Sequence, residues 1–237
     1  NDRKNLDGFL YQKKVEQYLH TAISEDRFEL YYQPVYSISE KRFITLEALS
    51  RLHHPELGWI TPDVFIQIAE KNHMIEQITD LQFRRICRFM KENCAALSGL
   101  WNLKMNLSSL DLMRSDCSSH FIRIMDEYGI PHDWIQFEIT ETVATEYNGS
   151  LKKVADDFTA AGIRLCLDDF GSGYANLNTV MRLPFSSIKL DRSLLFDIWS
   201  SRASARLRRK FSPGISCFRL RPFSRSRMRS GVRLSMI

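Results

Sequence analysis

Strand-like and helix-like segments alternate along residues 101–190, and this alternation limits the possible folds more than any other feature of the chain. The predicted strands are at about 101–107, 135–140, 163–168 and 186–190. The predicted helices between them are near 117–128, 148–161 and 174–181. Strand, helix and strand joined by short connections imply parallel strands with right-handed crossovers. Such a sheet is either open and doubly wound or closed as a barrel, and periodicity alone does not choose between them.

The first hundred residues predict further elements of both kinds. Residues 3–23 carry apolar side chains at helical spacing, so this helix either leaves an upstream module or packs on the domain. Thr61 followed by Pro62 is a favourable helix start, with the cap residue first and proline at the first helical position. The other elements expected here are strands at 28–36 and 43–52, and helices at about 62–72 and 75–96.

Five predicted strands end in polar residues within an apolar context. These residues are Glu47, Asn106, Glu138, the pair Asp168-Asp169, and Lys189. Any one of them alone would be interpreted as a solvent-facing or helix-capping group. A buried carboxylate, however, is costly unless it is paired or binds a metal, and barrel enzymes place their active sites at the C-terminal strand ends. Because oxygen ligands suit hard divalent cations, the set favours a Mg²⁺ or Mn²⁺ site.

The charge of the chain changes sign near residue 198. Residues 199–237, here called the basic tail, hold ten Arg, one Lys and no acidic residue. Residues 1–198 hold the other 22 of the 33 basic residues and all 28 acidic ones, so the net charge of +5 gives no reason to expect nucleic-acid binding by the domain. No apolar run approaches the roughly 18 residues of a membrane-spanning helix. We expect a cytoplasmic bacterial protein without a membrane segment.

Six motifs in this order resemble the EAL domain, the bacterial phosphodiesterase module that hydrolyses cyclic di-GMP to linear pGpG. The motifs are Tyr32-Gln33-Pro34, Glu47-Ala48-Leu49-Ser50-Arg51, the Asn106 strand, Glu138-Ile139-Thr140-Glu141, Asp168-Asp169-Phe170-Gly171-Ser172-Gly173-Tyr174 and Lys189-Leu190-Asp191-Arg192-Ser193. A lone Glu-Ala-Leu tripeptide would carry no weight, whereas six motifs over about 170 residues do. The resemblance implies an α/β fold, a modified TIM (βα)₈ barrel whose first strand runs antiparallel to the rest.

The resemblance also implies roles for the polar residues at the strand ends. Glu47, Asn106, Glu138 and Asp168 would be metal ligands, and Asp169 would bind the second cation of a two-metal site that uses Mg²⁺ or Mn²⁺. Glu47 and Lys189 are the catalytic candidates, with Lys189 holding or helping to deprotonate the attacking water.

Other residues are implied in substrate binding and assembly. Gln33 and Arg51 would contact the nucleotide, with the planar guanidinium on a phosphate. Glu141 would order the loop that contains Gly171 and Gly173, which couples metal binding to dimerisation in this family. A homodimer is therefore expected, and an upstream sensor or GGDEF-type module is compatible with the pattern.

The resemblance stops after Ile198. The family continues with a seventh strand carrying a Glu-Gly-Val-Glu-Thr-type motif and an eighth carrying Gln-Gly, and the basic tail contains neither. We expect a barrel lacking about its last two strands, divided into an N-terminal helix or linker (1–24), an incomplete EAL domain (25–198) and an out-of-frame or disordered tail (199–237). The alternative is a basic arm for nucleic acid or an anionic membrane, although the tail begins where the barrel needs its last strands.

Two functions follow from the sequence. The first is metal-dependent hydrolysis of cyclic di-GMP, with this chain weakly active or inactive because the C-terminal motifs are missing. The alternative is a catalytically inactive EAL module that binds cyclic di-GMP or a protein partner.

Overall fold

The computed structural model describes residues 2–146, 148–171, 183–191 and 233–234. The strands are β1 Glu29–Ser37, β2 Arg42–His54, β3 Gly58–Ile60, β4 Asn102–Asn106, β5 Ile135–Thr140, β6 Arg164–Phe170, β7 Ser187–Leu190 and β8 Arg233–Leu234. The helices are α1 Asp2–Ser24, α2 Pro62–Lys71, α3 Ile75–Glu92, α4 Cys94–Leu97, α5 Ser109–Met113, α6 Cys117–Tyr128, α7 Glu141–Glu146 and α8 Asn148–Ala160, with a 3₁₀ turn at His132–Trp134. None of the described helices is long and apolar enough to cross a membrane.

The strands form one curled sheet in the order β7-β6-β5-β4-β2-β1-β8, with β3 paired to β2. The first strand, β1, is antiparallel to β2, whereas β2, β4, β5, β6 and β7 are mutually parallel. In the part of the chain that the structure describes, β7 and β8 are the two ends of this order. The structure thus confirms the α/β fold, an open portion of a modified TIM barrel with an antiparallel first strand.

A cluster of phenylalanine rings anchors the central strand β5 to the helices. Phe137 of β5 lies 5.0 Å from both Phe121 and Phe158, and 5.6 Å from Phe83, between ring centroids. All four side chains are completely buried. Because burial of large apolar side chains is the main stabilising term in folding, this cluster fixes the strand that also carries Glu138.

The helix α1 packs on the domain through its second half. Its buried residues lie in one cluster with residues that flank or lie in β1 and β2; the cluster includes Val15, Leu19, Ala22, Phe28 and Leu52. Tyr18 donates a hydrogen bond to the backbone carbonyl of His53 at 2.9 Å. Phe9 and Leu10, one to two turns earlier, are exposed. The division of the chain at residues 24 and 198 stays a prediction.

Two local differences separate the expected elements from those observed, and one expected helix is not tested. The helix predicted at 75–96 is two helices, because Asn93 leaves the helical conformation at φ −117° and its side chain donates to the Phe89 carbonyl. Thr61 occupies the predicted cap position of α2, but its hydroxyl makes no capping hydrogen bond. The helix predicted at 174–181 lies outside the described residues.

Candidate active site

Three acidic side chains from β2, β5 and β6 converge inside the curled sheet. One carboxylate oxygen each of Glu47, Glu138 and Asp168 lies within 4.8 Å of the others. Alternate residues of a strand face the same side of a sheet, so parallel strands bring these side chains to the same interior surface. Glu138 has no solvent exposure, and the other two are partly buried. We call this group the carboxylate cluster.

Lys189 of β7 joins the three members of the carboxylate cluster. Its Nζ donates to Asp168 Oδ2 at 2.9 Å, to Glu138 Oε2 at 3.0 Å and to both oxygens of Glu47 at 3.3 Å. One ammonium group therefore compensates part of the charge of three carboxylates. This arrangement brings both catalytic candidates and three of the five predicted metal ligands together.

Lys104 is a second interior lysine, which the sequence reasoning missed. Its Nζ donates to Glu138 Oε1 at 2.9 Å, and its side chain is only 12% exposed. The sequence contains one indication of this position: Lys104 lies two residues before Asn106, so the two side chains lie on the same face of β4.

The pKa values of Glu47, Glu138 and Lys189 are shifted in different directions, because each side chain has a different set of charged neighbours. Burial, followed by the charge of Glu138, raises the pKa of Glu47 to about 7, although Lys189 opposes this. Burial alone would also raise the pKa of Glu138, but Lys189 and Lys104 outweigh it and hold this pKa below its ordinary value. Burial would lower the pKa of Lys189, and the three carboxylates raise it instead. The ammonium form of Lys189 is thus favoured at neutral pH.

The other two predicted metal ligands have exposed side chains and lie near the ends of β4 and β6, the two strands that flank β5. Asn106 ends β4 in register with Glu138. Asp169 follows Asp168 in the left-handed region at φ +55°, and its backbone N–H donates to Asp168 Oδ1 at 2.8 Å. A non-glycine residue in this conformation is strained, typically by about 1 kcal/mol or more, and such strain is common at functional sites.

Of the two predicted nucleotide-binding residues, Gln33 lies next to the carboxylate cluster, and Arg51 lies four residues further along β2 than Glu47. Gln33 of β1 is in register with Glu47 and is half-buried. Arg51 lies over the ring of Tyr31, 5.4 Å from its centroid, and donates through Nη1 to the Ser50 carbonyl at 2.8 Å. Arg51 also lines a cavity of about 360 Å³ together with Asn106, which we call the cleft; among the described residues, no member of the carboxylate cluster lines it.

A buried acid holds the loop after β6. Glu141 accepts a hydrogen bond from the Gly171 backbone N–H at 2.7 Å. Gly171 is at φ +97°, a conformation in which glycine avoids the steric cost of a side chain. Gly173 lies outside the described residues.

The donor set of the carboxylate cluster fits a divalent cation. Its members are carboxylate oxygens, close enough to share one ion, and hard cations such as Mg²⁺ and Mn²⁺ prefer oxygen ligands. The Lys189 ammonium bonds to the same three carboxylates, which shows that a positive charge is accommodated among them.

The parallel strands curl into part of a barrel, with Glu138 and Asp168 near C-terminal strand ends and Glu47 midway along β2, which is the general arrangement of barrel-type active sites. The sequence profile of the EAL domain matches residues 16–212. The chain belongs to the EAL domain family.

Individual relatives show the same similarity. The cyclic di-GMP phosphodiesterase NbdA of Pseudomonas aeruginosa is 31% identical over 188 residues, which cover 79% of this chain and 24% of that protein. The structure of the PaMucR phosphodiesterase in complex with c-di-GMP matches with a TM-score of 0.75 at 28% identity, over 82% of this chain and 78% of the other. The EAL enzyme Bd1971, with cAMP and cyclic-di-GMP bound, matches with a TM-score of 0.74 at 25% identity, over 86% and 57%. The chain spans about a quarter of the length of the curated relatives it matches.

Proposed function

We propose that this chain carries the greater part of a metal-dependent phosphodiesterase domain that acts on cyclic di-GMP and yields linear pGpG. The convergence of Glu47, Glu138 and Asp168 on Lys189 is the observation that carries the proposal. The names of NbdA and of the PaMucR complex support the choice of substrate, because these proteins match 79% and 82% of this chain.

The carboxylate cluster would hold a divalent cation, Mg²⁺ or Mn²⁺, and Asn106 and Asp169 would add oxygen ligands from the neighbouring strand ends. When bound, such cations neutralise charge on the phosphoryl oxygens and make a water molecule more acidic. Glu138 suits this role because its two lysine partners favour the ionised carboxylate. Its complete burial also restricts its movement.

Lys189 would position the attacking water rather than deprotonate it. The neighbouring carboxylates raise the pKa of Lys189, so at neutral pH its nitrogen carries donors and no free lone pair. A donated hydrogen bond fixes the water oxygen in place, which lowers the entropic part of the barrier.

Arg51 and Gln33 would bind the substrate next to this centre. The guanidinium of Arg51 at the cleft presents several donors in one plane, a geometry that matches two phosphate oxygens. Gln33 lies across from Glu47 on the antiparallel strand and would contact the nucleotide from that side. Glu141 would order the loop at Gly171, and we propose that this loop couples the site to a homodimer interface.

The second candidate is a module that binds cyclic di-GMP with little or no turnover. The observation in its favour is the basic tail, which contains no acidic residue where the family supplies one more metal ligand. Slow or absent turnover is therefore expected for this chain even if the described site binds substrate.

Hydrolysis and binding are measured on the purified chain with Mn²⁺ or Mg²⁺, following pGpG by chromatography and cyclic di-GMP affinity by calorimetry. Slow hydrolysis that Glu47→Ala abolishes would support the first candidate. Binding without hydrolysis would support the second. Glu56→Ala, which removes an exposed acid that pairs with Lys14, is the control and should change neither value. Absence of both binding and hydrolysis in the unaltered chain would reject both candidates.

A further inference from the structure

Glu138 is bound by a different lysine at each carboxylate oxygen. Lys104 donates to Oε1 at 2.9 Å, and Lys189 donates to Oε2 at 3.0 Å. Because Glu138 has no solvent exposure, water offers no substitute partner at its surface. Two charge-assisted hydrogen bonds from opposite sides restrict the rotation of the carboxylate plane.

The two lysines are not equivalent. Lys189 bonds to all three members of the carboxylate cluster. Lys104 Nζ bonds to Glu138 and, among the described residues, also lies 4.0 Å from the Cys166 sulfur. Lys189 therefore lies at the shared centre, and Lys104 acts on one carboxylate from outside it.

The backbone fixes Lys104 on the interior surface. It lies in register with Glu47 on β2 and with Gln136 on β5, so it is held between strands on both sides. Its neighbours Leu103 and Met105 belong to the apolar core on the opposite face of β4. Alternation along the strand then directs Lys104 inward.

We propose that Lys104 is a positioning residue, which holds Oε1 of Glu138 so that Oε2 faces the centre shared with Glu47 and Asp168. The inference rests on the proposed function for that centre, but the contact itself does not depend on turnover. Lys104 would remain the partner of Glu138 if a divalent cation bound among the three carboxylates.

The first measurement uses the metal-free chain in a chelator, with ¹³C-labelled glutamate carboxyl groups observed by NMR. The Glu138 signal is assigned from its loss in Glu138→Gln. Lys104→Met removes the ammonium at nearly constant side-chain length and should shift this signal. Lys152→Met, which breaks an exposed pair with Asp156, is the matched control and should leave it unchanged.

The second measurement is the affinity of each variant for Mn²⁺ alone, by calorimetry. Loss of a group that orients a metal ligand typically lowers metal affinity about 10- to 100-fold, and this is the expected result for Lys104→Met. If Lys104 acted only through its charge, its removal would instead strengthen Mn²⁺ binding. A rise in affinity, or no change, would overturn the positioning role.

Two further results distinguish the positioning role of Lys104 from a purely structural one. Lower thermal stability of Lys104→Met with an unshifted Glu138 signal would also overturn the proposal. Lys104→Arg keeps a cationic donor, and the cavity of about 580 Å³ beside Lys104 has room for the longer side chain. This variant should restore the Glu138 signal and the Mn²⁺ affinity. It also replaces the Met variant in the test if that variant does not fold. If the unaltered chain binds no Mn²⁺, the proposed function fails, and the Glu138 signal still decides whether Lys104 holds that residue.

Discussion

Replacement of Glu47 by glutamine should remove a loss of stability that the metal-free protein undergoes as the pH rises from 5 to 8. The carboxyl of Glu47 has its pKa raised from 4.5 to about 7 in the fold, by burial first and by the charge of Glu138 second. A carboxyl with a raised pKa binds its proton more tightly in the folded state than in the unfolded state. Its stabilising contribution is therefore full below pH 4.5 and is lost as the pH rises through 7.

The size of this effect follows from the two pKa values. At about 1.4 kcal/mol per pH unit, the difference between 4.5 and about 7 corresponds to roughly 3 kcal/mol, of which about 2.5 kcal/mol is lost between pH 5 and pH 8. Glutamine does not titrate. The free energy of unfolding of Glu47→Gln, relative to the unaltered protein, should thus rise by about 2 to 3 kcal/mol between these pH values.

Urea unfolding in a chelator at pH 5 and pH 8 measures this difference. Glu56→Gln is the control, because the Glu56 side chain is 74% exposed and lies outside the carboxylate cluster. A difference between Glu47→Gln and the unaltered chain that is the same at both pH values would refute the argument. Mn²⁺ added at pH 8 should stabilise the unaltered protein, because a cation that binds the folded state shifts the folding equilibrium. It should not stabilise Glu47→Gln, because this variant lacks one of the carboxylate ligands.

Three further changes have defined outcomes. Phe137→Ala should lower the free energy of unfolding by about 3 to 5 kcal/mol in urea titrations, because it empties the centre of a buried aromatic cluster, whereas the exposed Phe9→Ala should stay within about 0.5 kcal/mol. Glu141→Ala removes the acceptor of the Gly171 N–H, so hydrogen exchange of that amide should accelerate at least tenfold; an unchanged rate would show that the contact does not order the loop. Arg51→Lys should weaken cyclic di-GMP binding about tenfold in calorimetry with metal held constant, since lysine lacks the planar donor pair, and equal affinities would exclude a bidentate role.

The parallel part of the fold could be predicted because its strands alternate with helices in the sequence. Strand β5 at Ile135–Thr140 and helix α6 at Cys117–Tyr128 have the predicted bounds. The short helix α5 was missed, although Ser108 and Asp111 form a capping box whose spacing is visible in the sequence. The break at Asn93 could not be predicted in the same way, because apolar spacing continues on both sides of it.

The site was predictable to a similar extent and for a similar reason. Glu138 and Asp168 lie on adjacent parallel strands, and their proximity follows from the order of the chain. The position of Glu47 depends on β2, and not β1, lying next to β4, which local patterns do not specify. Lys104 was missed because a lysine in a short strand is usually interpreted as facing solvent, and only the curvature of the sheet makes that face an interior.

The continuity of α1 gives the fold a mechanical property. Its 23 residues form one helix, roughly 35 Å long at about 1.5 Å per residue. Its last turns share a buried apolar cluster with Leu52, and Tyr18 donates a hydrogen bond to the backbone of His53; these two residues directly follow Arg51. A rotation or pull applied near Phe9 would reach β2 with little loss, because a helix bends much less readily than a loop. Helix α1 is thus a stiff connection between the start of the domain and Leu52, the residue next to Arg51, which is the candidate for phosphate binding.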